Sequence, residues 1–254
     1  MPTRHGKILG IDADIVVDAG AYAMWPRGPT SETNMAARCL PGSYTIANYR
    51  SRGCTVATNK TPFGPYRGVG RTGACFAIER TIDEVARAVG RDPSELRTEN
   101  MVRPEQMPYL SVGRMQYDGG DYPAAVRLCA ELLDMPAVRA RQKQGEPDGR
   151  LIGIGFASFT EQSAGGAAEY ASRDVSIIPG YESCTARILT DGSTVLMVGI
   201  QSHGQGLETA LSQIAAQELG IDPARISVRH GDTESTAFGF GTFASRSMVC
   251  QGVR

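Results

Sequence analysis

Two glycine-rich loops constrain this chain more than any other feature: Pro65-Tyr66-Arg67-Gly68-Val69-Gly70-Arg71 and Ser202-His203-Gly204-Gln205-Gly206. Each runs into an amphipathic helical pattern. Glycines let the backbone take positive φ and approach a ligand closely, and a helix N-terminus favours an anion. Two such loops in one chain point to backbone amides gathered around a large polyanionic ligand. Neither has the surroundings of a nucleotide site. Gly68, Gly70 and Gly73 match G-x-G-x-x-G, but Pro62, Gly64 and Pro65 stand where a hydrophobic strand must end. The helix after that loop is followed by another capped helix, where a dinucleotide fold needs a second strand ending in an acid.

Bulk properties remove other classes. The 254 residues carry a formal net charge of -1 with 21% charged side chains, an ordinary soluble composition. No Lys/Arg run interleaves with aromatics, so no nucleic-acid footprint is present. Every apolar stretch is far shorter than a membrane span, and Met1–Lys7 contains no apolar signal core. The six cysteines show no metal-ligand spacing, which points to reduced thiols in a cytoplasmic protein and leaves no iron–sulfur site within the chain.

The pattern along the chain predicts alternating strands and helices. Residues 8–22 read as a strand with Ile11, Ala13, Ile15, Val17 and Ala19 on one face and Asp12, Asp14 and Asp18 on the other. Residues 44–58 read as a strand with Gly53 as a bulge. A helix over 74–89 ends at Gly90, and Asp92-Pro93-Ser94-Glu95 starts a second helix that stops before Pro104. Residues 104–122 read as a connection, 123–134 as a helix and 138–150 as a charged exposed stretch. Strands follow at 151–159, 182–189, 194–200 and 225–230, with a hairpin turn at Asp191-Gly192 and a helix at 207–219. The domain boundary falls near 105–120, giving domains 1–110 and 111–254. The opening strand and the closing helix turn at Ser245-Arg246-Ser247 lead us to expect a piece of something larger.

Each chemical candidate has a plain alternative. Arg67 and Arg71 can present rigid forks to a carboxylate, carbonyl or phosphate, or make surface salt bridges. Gln205 can hydrogen-bond a heterocycle edge, or the Gly204–Gly206 loop is a simple tight turn. The segment Gly239–Ser247 offers hydroxyls, small residues and an arginine suited to phosphate or pterin, or is a surface loop. His5, His203 and His230 are too scattered for a metal site, and only His203 adjoins a glycine loop.

Taken together the motifs resemble the molybdopterin-binding subunit of the xanthine dehydrogenase, aldehyde oxidase and aerobic carbon monoxide dehydrogenase family. The resemblance rests on Asp18-Ala19-Gly20-Ala21-Tyr22, the Pro65–Arg71 loop, Phe76–Arg80, Asp92–Arg97 with Asn100, Gly204-Gln205-Gly206, Gly231-Asp232-Thr233, and Gly241-Thr242 with Ser245-Arg246-Ser247. They occur in family order across nearly the whole chain. The resemblance implies an α+β fold made of parts of two molybdopterin-binding domains. It implies a molybdenum–molybdopterin cofactor gripped by pterin sulfurs, often as the cytosine dinucleotide form in bacteria, so no protein metal ligands are required. It places Arg67 as the active-site arginine that orients or polarises substrate. Gly68, Gly70, His203, Gly204, Gln205, Gly206, Thr242, Phe243, Ala244, Ser245, Arg246 and Ser247 are implied as cofactor-binding positions. The implied chemistry is hydroxylation of a small molecule with oxygen from water. Electrons then leave through an iron–sulfur subunit to an FAD subunit, in a dimer of heterotrimers.

Two departures refine that expectation. Gly68 stands where carbon monoxide dehydrogenases proper carry a copper-binding cysteine, and Cys75 on the next helix cannot substitute. An aldehyde, N-heterocycle or acyl-thioester hydroxylase is therefore expected, rather than carbon monoxide oxidation. Family subunits are also roughly three times this length, and the segments bearing the catalytic glutamate and the glutamine near the metal have no counterpart here. The isolated segment is thus expected to be inactive without the remaining subunit segments. The competing readings are a non-catalytic truncated scaffold and a nucleotide-dependent dehydrogenase.

Overall fold

The computed structural model describes residues 2–24, 28–172 and 180–252, which form two compact units, Met1–Glu161 and Gln162–Arg254. In the first unit the alternating pattern makes strand β1 (Gly10–Gly20), and helix α1 (Thr30–Cys39) leads to strand β2 (Asn48–Ala57). The two strands pair in parallel, with Asp12 opposite Arg50 and Asp14 opposite Arg52. Both pairs are salt-bridged on the exposed face, Arg50 Nε lying 2.8 Å and Arg52 Nε 2.7 Å from the facing carboxylate. At the C-terminal end Asp18 accepts from Thr58 Oγ1 at 2.6 Å and from the Gly20 amide at 3.0 Å, and it pairs with Lys60 at 2.7 Å. The register shift lies between Asp18 and Gly20, not at Gly53. Gly53 is glycine for another reason: a Cβ there would lie 2.6 Å from Thr33 Cγ2 of α1.

Helix α2 (Arg71–Val89) buries Ala74, Ile78, Ile82 and Ala86 at helical spacing and ends on left-handed Gly90. Asp92 caps α3 (Pro93–Asn100), accepting from the Ser94 amide at 2.8 Å. These faces meet Ile8, Leu40, Tyr44, Ile46, Leu96, Met101 and Val126 in the main core. After a 3-10 turn at Pro104–Gln106 come the short antiparallel strands β3 (Tyr109–Leu110) and β4 (Gln116–Tyr117), then α4 (Tyr122–Leu132) and α5 (Met135–Gln144). Helix α5 occupies the stretch read from sequence as charged and exposed. Its sequence has almost no apolar face, but Asp134 caps it at the Ala137 amide.

Residues 151–159 form no strand. Their burial alternates, and their backbone is held by side chains instead of a ladder, Gln142 Nε2 donating to Ile152 O at 2.8 Å and Arg97 to Phe156 O. Arg97, fully buried, donates through Nη2 to Phe156 O at 3.0 Å and to Glu79 O at 3.0 Å. Its Nε pairs with Glu79 at 2.7 Å, Nη2 lies 2.8 Å from Asp83, and Tyr44 Oη donates to Glu79 at 2.6 Å. A buried arginine with this many partners satisfies the demand that desolvated charge be paired and bonded.

In the second unit α6 (Ala167–Ser172) precedes the antiparallel hairpin of β5 (Cys184–Ile188) and β6 (Thr194–Val198). Its turn carries Asp191 and left-handed Gly192, as the sequence predicts. Helix α7 (Leu207–Leu219) then leads through a 3-10 turn to β7 (Ile226–Arg229), parallel to β6. Leu196, Val198, Ile200, Leu207, Leu211, Ala216 and Ile226 form the core of this unit. The chain closes with α8 (Ser247–Gly252). No helix among the described residues is long and apolar enough to cross a membrane. The sequence reading places a domain boundary at 110/111. By compactness the division falls after Glu161, because Met115 and Tyr117 pack on Val102, and Phe156 on the main core.

Candidate cofactor site

Three loops carry the candidate residues, one in the first unit and two in the second. In the first, Gly68, Val69 and Gly70 all take positive φ, at 95°, 39° and 70°. A Cβ on Gly70 would lie 2.2 Å from Glu32 O and one on Gly68 2.6 Å from Thr72 Cγ2, so this turn needs glycine for space as well as for φ. The buried Glu32 carboxylate of α1 accepts the Gly70 and Tyr66 amides; burial pushes its pKa up, and those amides only partly offset that. The two anchored residues bracket Arg67. Its side chain is exposed and makes no ion pair among the described residues. Arg71 turns back instead: Nη1 donates to Gly68 O at 3.4 Å, and Nε lies 3.4 Å from Glu161 without a hydrogen bond.

In the second unit Gly206 is the left-handed N-cap residue of α7, which has no side-chain cap. Gly204 and Gly206, at φ 90° and 75°, have no atom within 4 Å of where a Cβ would stand. An uncapped helix N-terminus with open space around its glycines is fitted to receive an anionic group. Gln205 turns into its own loop: its Oε1 accepts the His203 amide at 2.5 Å and its Nε2 donates to Gln201 O at 3.4 Å. Behind the loop, Glu208 accepts from Ser202 Oγ at 3.1 Å and lies 2.8 Å from His230 Nε2, whose hydrogen bond holds the carboxyl below its ordinary pKa.

The Gly241–Ser247 loop is tied to the residue that precedes the Gly204–Gly206 loop. Thr242 Oγ1 donates to Gln201 O at 2.7 Å and accepts the Gln201 amide at 2.8 Å, while Ser247 Oγ stands 3.3 Å from Thr242 Oγ1. Ala244 and Ser245 are exposed at φ 51° and 53°, a conformation that costs a non-glycine residue energy. Phe243 packs against Tyr170 and, edge-on, Phe240, with centroids 6.2 and 6.1 Å away. Arg246, read from sequence as a cofactor contact, is fully buried, and its guanidinium is spent on Glu182, Gly165 O, Gly180 O and Gly241 O. What this loop presents outward is Ala244 and Ser245; the Thr242 hydroxyl is used on Gln201, and Ser247, read from sequence as a cofactor contact, is buried with its hydroxyl on Thr242. No cluster of three His, Cys, Asp or Glu side chains able to hold a metal occurs among the described residues.

Sequence reasoning missed Glu32, Glu182, Gln201 and Glu208, the residues that hold the loops. Glu32 lies on a helix without a clear apolar stripe, and Glu182 carries no motif. Glu208 at the start of α7 was the one legible case, since acids favour a first helical turn.

Two family models, each described as a molybdopterin cofactor-binding domain, match residues 2–101 and 128–253. The chain belongs to the molybdopterin-binding xanthine dehydrogenase family. This molybdopterin-binding chain is 36% identical over 98% of its length to the carbon monoxide dehydrogenase large chain of Hydrogenophaga pseudoflava, covering 31% of that protein. It is 34% identical, again over 98%, to the nicotine 6-hydroxylase large subunit of Paenarthrobacter nicotinovorans, covering 30% of it. The crystal structure of quinoline 2-oxidoreductase from Pseudomonas putida 86 superposes with a TM-score of 0.86 at 33% identity, over 96% of this chain and 31% of that one. The molybdopterin-binding chain thus spans about a third of the length of such relatives, and its fold is that of the molybdopterin-binding part of molybdenum hydroxylases.

Proposed function

We propose that the chain is the molybdopterin-binding portion of a molybdenum hydroxylase that oxidises an aldehyde, an N-heterocycle or a related small molecule with oxygen from water. One observation carries this reading: the uncapped α7 N-terminus, with Gly204 and Gly206 open to a ligand, lies inside the stretch that matches the cofactor-binding family. When bound, the cofactor supplies two-electron oxidation of the substrate carbon. The α7 amides and the Thr242–Ser245 backbone hold its anionic part, with the Thr242 and Ser247 hydroxyls bracing that loop from within. Arg67, in a loop fixed by the Glu32 carboxylate, presents a planar fork of donors to a substrate carbonyl or carboxylate. Gly68 supports a hydroxylase over a carbon monoxide oxidase, because no thiol stands next to Arg67. Iron–sulfur and FAD partner subunits, the cytosine dinucleotide form of the cofactor, the heterotrimeric assembly and a cytoplasmic location belong to the same proposal. The relatives named as large or complex subunits support it.

The test is molybdenum by elemental analysis and pterin fluorescence after oxidation, on the subunit produced in a cofactor-making host with its genomic neighbours. Near-stoichiometric metal and pterin are expected. Their absence would leave the scaffold reading, and tight NAD binding without molybdenum would support a dehydrogenase. In the loaded enzyme, Arg67→Ala is expected to lower kcat/KM by about ten- to a hundredfold, the range for losing one charge-assisted hydrogen bond.

A further inference from the structure

We propose that Arg246 and Glu182 act as a positioning pair that pre-forms the Gly241–Ser245 loop for the cofactor, Arg246 working through the loop and not by touching the ligand. The inference rests on the molybdopterin-binding reading and deepens it. Both side chains are fully buried, with Arg246 Nη1 2.5 Å from Glu182 Oε1. Together they grip Gly241 at both ends of its residue: its amide donates to Glu182 Oε1 at 2.7 Å, and its carbonyl accepts from Arg246 Nη1 at 2.8 Å. Arg246 Nε donates to Gly165 O at 3.2 Å, and Nη2 donates to Gly180 O. The guanidinium also lies 4.9 Å from the centre of the Phe243 ring, which itself packs against two other aromatics.

Two neighbouring facts give the pair a purpose. Ala244 and Ser245 stand in the left-handed region without being glycine, and such residues persist only where their surroundings over-determine them. The restraints present here are the gripped Gly241 before them, the Arg246 amide donating to Phe243 O at 3.2 Å, and the Ala164 amide donating to Ala244 O at 3.1 Å. The loop so held is the one bonded reciprocally to Gln201, which precedes the Gly204–Gly206 loop. A buried arginine whose donors are already shared among a carboxylate and three carbonyls has little left for a phosphate.

Direct contact and positioning differ in the sign of one result. If Arg246 bound phosphate directly, Glu182→Gln would remove a competing negative charge and tighten the anionic cofactor. Positioning predicts the reverse. We would measure molybdenum and pterin per subunit, and the half-life of pterin loss on dialysis, for the neighbour-coexpressed subunit and its Glu182→Gln, Arg246→Lys and doubly substituted forms. Expected are at least fivefold faster losses in each single variant, with the double variant no worse than the singles. Slower or unchanged loss in Glu182→Gln overturns the proposal. If these variants do not accumulate as folded protein, Gly241→Ala keeps both charges and reshapes the gripped loop. A comparable loss of retention is expected there, and unchanged retention overturns the proposal. A wild-type subunit without molybdenum or pterin would instead defeat the parent reading, so the two failures are distinct.

Discussion

Gly70 and Gly204 sit at the same kind of place, a left-handed turn at a helix entry, yet they answer to different demands. Gly70 is wedged against the Glu32 carbonyl, whereas Gly204 faces open space. Gly70→Ala therefore combines a steric clash with an unfavourable φ and is expected to cost more than about 3 kcal/mol, read from the denaturant midpoint. Gly204→Ala meets only the φ penalty of about 1–2 kcal/mol, and its larger effect is expected on cofactor content. Equal destabilisation by the two would contradict this division. At this scale the sequence was legible where chemistry has a signature. Glycine spacing located the loops, and the arginine in Pro65–Arg71 stands out by its neighbours. The carboxylates that fix them were not legible, since Glu32 and Glu182 reach their loops across 38 and 59 residues of chain respectively, to Gly70 and Gly241. Arg246 shows the limit from the other side: a residue type suited to phosphate turned out to have its donors used indoors.

Strand β1 and helix α7 were foreseen because their periods are strict, and α3 because Asp92-Pro93 announces a helix start. Helix α1 and helix α5 were not, since neither has a strong apolar stripe and α5 draws its start from a cap. The 151–159 stretch misled because its alternation satisfies the strand template while its hydrogen-bond partners are the Arg97 and Gln142 side chains. The parallel ladder and the core-facing Ile11, Ala13 and Tyr49 join β1 to β2, and the Asp12–Arg50 and Asp14–Arg52 pairs and the clasp around Asp18 decorate its exposed side. The Lys60 ammonium first, then Thr58 and the Gly20 amide, hold the Asp18 carboxyl down to about 2 from 3.8. A depressed carboxylate contributes stability that is complete above its unfolded value and is lost as pH falls through the folded one. The stability difference between wild type and Asp18→Asn is thus expected to be constant from pH 7 to about 5 and to shrink steadily from about pH 5 towards pH 1. Chemical denaturation across that range checks it, and a gap undiminished at about pH 2 would assign the effect to something other than this charge.

Two compact units could be expected from length and from the change of pattern; the first one runs on past the boundary read from sequence and closes at Glu161. The boundary inferred from sequence follows the Gly- and Pro-rich connection, where local signals weaken. Closure is set by long-range burial: the stretch ending at Glu161 returns to cover a core laid down by α2 and α3. Arg97 is the node of that return, and Arg97→Ala, which strands Glu79 in the interior, is expected to cost about 3–5 kcal/mol in a urea titration. A chain cut after residue 110 should be digested by protease far faster than one cut after residue 161; equal resistance would place closure earlier. The same geometry has a meaning in time. A ribosome emits the chain in order, and at 5–20 residues per second the roughly fifty residues from 110 to 161 take about 3–10 s to appear. Through that interval the nascent first unit holds its core arginine with the Phe156 acceptor still unmade, and its core is laid down before it is covered.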